Sequence, residues 1–318
     1  MAVTLVQSAL LSENDLQQGV NETFVIESTV LDRIPLEPIQ GNAFAYNEEA
    51  TLPGIEFRAV NSAYTESTGT VVQKTESLVI LGGDADVDRF IAQTRGNLND
   101  QRAVQTKLKV KAAVYKFQDT FINGDTAVDA NSFDGLKKRI TGAQIIDAAT
   151  NGLPVIGADD NARHAFFDVL DAAIAAVVGG VDALYMNSMI RQKIKSSARR
   201  LGAWTMTVEE FGRQIDRYNG IPLLDIGTKA DGTLIIPQTE TQGASSICSS
   251  IYAVHFGDSP ETGGVMGLFN GDPAQPIDVR DLGEQQAKPV FRTRIEAFIG
   301  LGMFGGKAAS RLRGVLNS

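Results

Sequence analysis

Apolar positions along the chain change rhythm several times, and each change predicts a different kind of element. From Asp84 to Gly124 the residues Val87, Phe90, Ile91, Leu98, Val104, Leu108, Ala112, Tyr115 and Ile122 recur at steps of about three and four, with Arg95, Gln101, Lys107, Lys109 and Lys116 opposite them. That spacing predicts one long helix with a single apolar stripe. Its start is DADVD, where Asp84 or Asp86 can accept the free N–H groups of a first turn. Its stop is Asn123-Gly124, a pair that readily takes the left-handed conformation beyond a helix end. At about 1.5 Å per residue such a rod runs roughly 55 Å, a spine from which other parts project. Gly96, near its middle, is its weakest point.

Ahead of the spine the rhythm is that of strands. Apolar and β-branched residues alternate with charged or polar ones in 55–60 and again in 71–80, and the polar stretch NSAYTESTGT between them predicts the tip of a long hairpin. Polar residues fall on both faces, so the hairpin is not buried in its own subunit, and an isolated hairpin in water is marginal. Residues 1–45 are polar with scattered apolar positions and end in IPLEPIQG, where Pro35 and Pro38 hold the backbone extended. This is an arm, which needs another surface to lie across, such as a second copy of the chain.

Beyond the spine, GDTAVDANSFDGLKKRI marks a boundary, and from Arg139 to about Leu282 helix and strand signals alternate as in a mixed α/β domain. The helix in DDNARHAFFDVLDAAIAAVVGG is capped by Asp159 or Asp160, and Gly179-Gly180 ends it; SMIRQKIKSSARR is a basic helix capped by Asn187 or Ser188. ALYMN, GIPLLDIG, TLIIP and SSIYAVHFG are predicted strands. In the closing PVFRTRIEAFIGL, Phe291, Thr293, Ile295, Ala297, Ile299 and Leu301 alternate with a charged set that includes Arg292, Arg294 and Glu296. This predicts a long strand that packs on the spine helix.

Composition narrows the function classes. A net charge of -9 argues against non-specific nucleic-acid binding as the main task. The single cysteine, Cys248, rules out an intrachain disulfide and a cysteine-built zinc site, and its apolar surroundings make it a small buried thiol. No secretion signal and no apolar run long enough for a membrane helix is present.

Each chemical motif has a plainer reading. GLGMFGG matches a dinucleotide fingerprint through Gly300, Gly302 and Gly305, but only thirteen residues follow, too few for the helix, second strand and acidic ribose ligand, so close approach of packed backbones explains it better. DADVD lacks the glycine and glutamate that a calcium loop needs and is assigned to helix capping. His164 and His255 have no companion ligands; the first is expected at the surface, the second packed in a strand. The basic helix residues Arg191, Lys193, Lys195, Arg199 and Arg200 could meet phosphate, with a solvated face or a subunit contact the simpler account. No catalytic, cofactor-binding or metal-binding set emerges, and a long chain with projecting arms and no convergent polar chemistry points to a building block.

The order of arm, two-stranded loop, spine helix, α/β domain and returning strand resembles the major capsid proteins of tailed bacteriophages, with the Hong Kong 97-like fold. FINGD and SFDGL (121–125 and 132–136), YNGIPLLDIG (218–227) and SSIYAVHFGD (249–258) are also similar to that family. The resemblance implies an α+β chain with an N-arm at 1–45, an extended β-hairpin loop at 46–82, a peripheral domain of 83–135 with 286–318, and an axial domain at 136–285. It implies a non-enzymatic subunit that assembles with itself into hexamers and pentamers, alongside scaffold, portal and decoration proteins. The shell would enclose double-stranded DNA without sequence-specific binding or a membrane, and would be made and assembled in the host cytoplasm to become part of the virion.

Some family members form isopeptide cross-links from an extended-loop lysine, and Lys74 is the only lysine in this loop. With Lys74, the candidates for assembly are Arg292 and Arg294 on the final strand and Leu108 and Tyr115 on the spine stripe, where aspartate is expected to unseat that strand. An encapsulin-like nanocompartment shell is the alternative, and a nucleotide-dependent enzyme using the Gly300 motif is a third reading.

Overall fold

The computed structural model describes residues 28–95, 101–202, 205–208, 214–257, 259, 261–270 and 277–317. In chain order the elements are β1 (Leu36–Pro38), β2 (Ala43–Thr51), β3 (Thr70–Ser77), β4 (Val79–Asp88), α1 (Arg89–Arg95), α2 (Gln101–Asn123), the short α3 (Leu136–Arg139), β5 (Ile145–Asp147), β6 (Leu153–Pro154), α4 (Asp160–Ala175), β7 (Ala183–Met186) and α5 (Ser188–Arg200). They continue with β8 (Thr205–Val208), β9 (Gln214–Tyr218), β10 (Ile221–Asp225), β11 (Glu240–Gln242), β12 (Ser245–Val254), β13 (Gly264–Phe269), β14 (Asp278–Glu284), β15 (Val290–Phe304) and β16 (Ala309–Leu316).

Among the described residues a nine-stranded sheet runs β5-β16-β12-β7-β10-β9-β8, with β6 beside β16 and β11 beside β12. Its strands alternate, because neighbouring side chains point to opposite faces. Leu184, Met186, Leu223, Ile251 and Ala253 turn to one side, where α4 brings Phe166, Phe167 and Leu170 and α5 brings Ile190 and Ile194. Ala183, Tyr185, Leu224, Tyr252 and Val254 turn to the other, against Val30, Leu31 and Ile34 of the arm and Val114, Phe117 and Phe121 of α2. Burying each large apolar side chain contributes about 1.5–3 kcal/mol, so both faces are held firmly. The helix starts follow the sequence: Asp159 accepts from Ala162 N at 2.8 Å, and Asn187 accepts from Ile190 N at 2.8 Å.

The second sheet, of five strands, runs β1-β13-β15-β14 with β4 also on β15. Thr293, Ile295 and Ala297 of β15 are buried and the intervening Arg292, Arg294 and Glu296 are not, as the alternation predicts. The buried row packs on α2 around Val110 and Ala113.

Several expectations are corrected. The spine does not begin at Asp84: DADVD lies in β4, which pairs antiparallel with β15 over ten positions from Val290↔Asp88 to Ile299↔Val79. Ala85 and Val87 are buried there, and the aspartates alternate with them, a two-residue rhythm that fits a strand and not a helix cap. Only Asp88 takes a capping part, accepting from Phe90 N at 2.8 Å. The helical stretch is α1 followed by α2; Leu98 and Gly96 lie outside the described residues.

The buried face of α2 is also not the stripe expected. Thr106, Val110, Val114, Phe117 and Phe121 face the core, whereas Val104 and Leu108 are 44% and 55% exposed. Gly124 is needed for space and not for a left-handed turn: a Cβ there would stand 2.3 Å from Phe133 O and 2.5 Å from Thr120 O. Finally, the hairpin strands are β2 and β3, so the first strand comes earlier than 55–60, and 52–69 form the tip.

The sheets join segments that are far apart in the sequence. β13 and β14, from the range assigned to the axial domain, join β15 in the five-stranded sheet. β16, from the range assigned to the peripheral domain, pairs with β12 in the nine-stranded one. TLIIP forms no strand; Leu234 makes an isolated bridge to Thr228, and Ile235 and Ile236 are buried.

Candidate assembly surfaces

The hairpin is fixed at its root. Phe44, Tyr46 and Phe304 form an aromatic cluster, with centroids 4.5 Å apart for Tyr46 and Phe304 and 5.8 Å for Phe44 and Phe304. Tyr46 donates its hydroxyl to Met303 O at 3.1 Å. Burial, with the Glu76 carboxylate next in importance, pushes the Tyr46 phenol up to about 12. Glu76 in turn receives both arms of the Arg139 guanidinium, the Nη2–Oε2 contact being 2.6 Å. Both side chains of that pair are only 14% exposed. A two-pronged pair in this setting fixes direction as well as distance.

The tip is the opposite. Leu52, Ile55, Phe57, Val60 and Tyr64 are all exposed, Ile55 at 96%. The tip's internal order is polar and local: Ser67 Oγ donates to Gly54 O at 3.0 Å, Thr51 and Thr70 hydroxyls meet at 2.6 Å, and Arg58 lies over the Tyr64 ring at 5.2 Å. Several large apolar side chains on one projection, with none of the body beneath them, mark a contact surface.

The five residues expected to carry assembly are not brought together. Lys74 stands across the hairpin from Tyr46 and pairs with Glu48. Arg292 and Arg294 lie on the outer face of the five-stranded sheet, Arg292 holding Asp86 through two contacts of 2.7 Å and Arg294 holding Asp84 at 2.8 and 3.1 Å. These guanidiniums hold both carboxyls below the usual carboxylate range, chiefly by hydrogen bonding. Leu108 is exposed, and Tyr115 is half-buried with Lys111 5.8 Å from its ring centroid. Neither belongs to the core row that seats β15, so aspartate at either position is no longer expected to unseat that strand.

Sequence reasoning missed Glu76, Arg139, Tyr46 and Phe304. Their one signal is Tyr46 and Glu76 falling on partner strands, which is visible only once the register is known.

The remaining candidates take structural parts. Arg191 and Lys195 of the basic helix turn to the buried Asp216, at 3.6 and 3.2 Å. Beside them a cavity of about 320 Å³ is lined by Thr29, Asp32, Arg33, Arg191, Leu224 and Asp225 among others, with both charge signs present. His164 is exposed; His255 lies just past β12, its Nδ1 2.9 Å from Asp182. Cys248 is buried. Gly300 and Gly302 allow close packing in β15, where a Cβ would stand 3.0 Å from Ser77 O and 2.6 Å from the Phe304 ring respectively. Among the described residues no group of three or more His, Cys, Asp or Glu side chains could hold a metal ion, and no helix is long and apolar enough to cross a membrane.

Comparison with known proteins places this geometry. The model of the family described as major capsid protein GP7 matches residues 30–165, which include the hairpin, α2 and the start of α4. No curated protein matches the chain. Among solved structures it is similar to the holo-SrpI encapsulin complex from Synechococcus elongatus PCC 7942, at a TM-score of 0.62 and 16% identity, covering 91% of this chain and 88% of that one. It is similar to the capsid of a native GTA particle, with a TM-score of 0.61, 14% identity and 91% and 90% of the two chains covered. It is also similar to a structure from Mycobacterium phage Bobi, with a TM-score of 0.59, 15% identity and 90% and 89% covered. The chain therefore has the Hong Kong 97-like fold.

Proposed function

We infer that the chain is a major capsid protein of the tailed-bacteriophage kind, the subunit of a shell built from copies of itself. The observation that carries this reading is the hairpin: its root is locked by Arg139, Glu76, Tyr46 and Phe304, while its tip presents Leu52, Ile55, Phe57 and Val60, which no surface among the described residues covers. Such a projection is satisfied by a neighbour. A tip that meets a different patch on the next copy makes a head-to-tail contact, and contacts of that type close into rings. Rings of five and six then tile a closed icosahedral shell.

The role is mechanical, not catalytic. The shell encloses double-stranded DNA without reading its sequence, and a net charge of -9 per chain limits adhesion of the genome to the wall. Scaffold and portal proteins complete the assembly route, which runs in the host cytoplasm and ends in the virion. The test is electron microscopy of the purified protein across salt and crowding conditions. Closed particles are expected; a chain that stays monomeric throughout would overturn the reading.

The likeness to the encapsulin favours one second reading, a protein nanocompartment. Particle contents separate the two: packaged double-stranded DNA and a portal vertex support the capsid, and an enclosed enzyme with no DNA supports the compartment.

A further inference from the structure

Four Asn-Gly pairs occur in the sequence, and three of them, at 123–124, 151–152 and 219–220, lie wholly among the described residues. The pair carries a chemical liability: with no side chain on the glycine, its backbone nitrogen can reach the carboxamide carbon of the asparagine before it. In a folded chain the outcome depends on whether that nitrogen and that carboxamide are already held.

The first two pairs are held on both groups. Gly124 N donates to Thr120 O at 2.8 Å, and Asn123 Nδ2 donates to Asp119 Oδ1 and to Ile235 O, each at 2.8 Å. Gly152 N donates to Ala149 O at 3.2 Å, and Asn151 Oδ1 accepts from Ala244 N at 3.0 Å. Asn219 and Gly220 differ. They form the two-residue turn between β9 and β10, where Tyr218 pairs with Ile221, and both are exposed. Both have positive φ, 50° and 81°, as a tight hairpin requires. Among the described residues Gly220 N has no acceptor; the turn is held instead by Arg217 Nη1 donating to Gly220 O at 2.9 Å and by Asn219 Nδ2 donating to Asp171 Oδ1 at a long 3.5 Å. Asp171 belongs to α4, and the turn is moored there a second time: the Tyr218 hydroxyl hydrogen-bonds Asp171, and the Tyr218 ring stacks on Phe167 with centroids 5.2 Å apart.

We propose that Asn219 is a site of spontaneous deamidation, and that the carboxylate it gains loosens the β9–β10 turn from α4. Gly220 N attacks Asn219 Cγ: the N–Cγ bond of a five-membered succinimide forms, the Cγ–Nδ2 bond breaks, and the amide proton leaves with the ammonia. Water then opens the ring at either carbonyl, giving aspartate or isoaspartate. The tight turn must open briefly for the attack, a local event that leaves the sheets folded. A group that donated to Asp171 becomes a second carboxylate beside it, so attraction turns to repulsion at the point where Tyr218 is held.

The test keeps the folded full-length protein at mildly alkaline pH and follows aspartate and isoaspartate by peptide mass mapping. Asn219 should convert at least about tenfold faster than Asn123 or Asn151, whereas in denaturant all three should convert at similar rates. Conversion of Asn219 no faster than the other two in the folded chain would overturn the site. Its consequence is read by hydrogen exchange. Asn219→Asp, which the turn tolerates, should speed exchange of the amides at 214–225 several-fold, and Asn219→Asp/Asp171→Asn should return it to the wild-type rate. Unchanged exchange in Asn219→Asp would overturn the loosening, as would an increase that the double variant does not reverse.

Discussion

The nine-stranded sheet and the hairpin are built from the same kinds of residue and meet opposite fates. Tyr185 and Tyr252 in the sheet are buried between helices on one face and the arm and α2 on the other. Phe57 and Ile55 on the hairpin are exposed on a projection with no second layer among the described residues. Among the described residues nothing covers the second set, and the proposed function assigns that cover to another copy of the chain. On that proposal the sheet is where the subunit stores its stability, and the hairpin is where it stores its capacity to associate. Stability and assembly should then respond to different substitutions.

Four changes press on that division, in descending order of their effect on the isolated subunit. Phe121→Ala empties a fully buried position that touches Phe117 and Tyr185. It should destabilise the subunit by about 3–5 kcal/mol, read from chemical denaturation. Arg139→Ala leaves Glu76 partly buried without its partner at the hairpin root, and about 2 kcal/mol should be lost. Proteolysis should show the hairpin cut sooner than the sheets; equal protection of both would mean the root is not held by this pair.

The third change is in acid. Asp84 and Asp86 have folded values below their unfolded value of about 4, so their contribution is present above that value and is lost as pH falls through the lowered folded values. Unfolding followed from pH 6 downward should steepen below pH about 4 in the wild type and flatten in the Asp84→Asn/Asp86→Asn variant. Identical acid slopes would remove these pairs from the account. Smallest for the subunit is Ile55→Asp/Phe57→Asp at the tip, expected to leave folding within about 0.5 kcal/mol of wild type. The same variant should form no shells in the micrograph, and normal shells would show that the tip is not the contact.

Much of the fold could be read from the chain because local rules and tertiary contacts agree there. The caps at Asp159 and Asn187, the short strand before Asn187 and the alternation of β15 stand where expected. DADVD was misleading because clustered aspartates suit both a helix start and a strand facing arginines. What decides is RTR at 292–294, about two hundred residues away, and no local window contains both. The α2 face is ambiguous in the sequence for a related reason: two apolar rows run along the helix, and only the positions of the sheets determine which one is inward. For the candidate surfaces, the projecting hairpin was legible as an unburied element, but its root was not. Tyr46, Glu76, Arg139 and Phe304 meet only through the register of β2 with β3 and the path of β15.

The pairing of β4 with β15 bears on how force travels through a shell. The hairpin continues from Ser77 almost directly into Val79, so tension on its tip is delivered along the axis of β4. That strand is joined to β15 over ten consecutive positions, and β15 is held on its far edge by β14 and β13. Pulled along its length, such a ladder is loaded in shear: its hydrogen bonds share the strain together instead of opening one after another like a zip. In the shell proposed for this chain, internal pressure that tries to part neighbouring subunits would be met by a whole seam at once, and the weakest link would lie between copies and not within one.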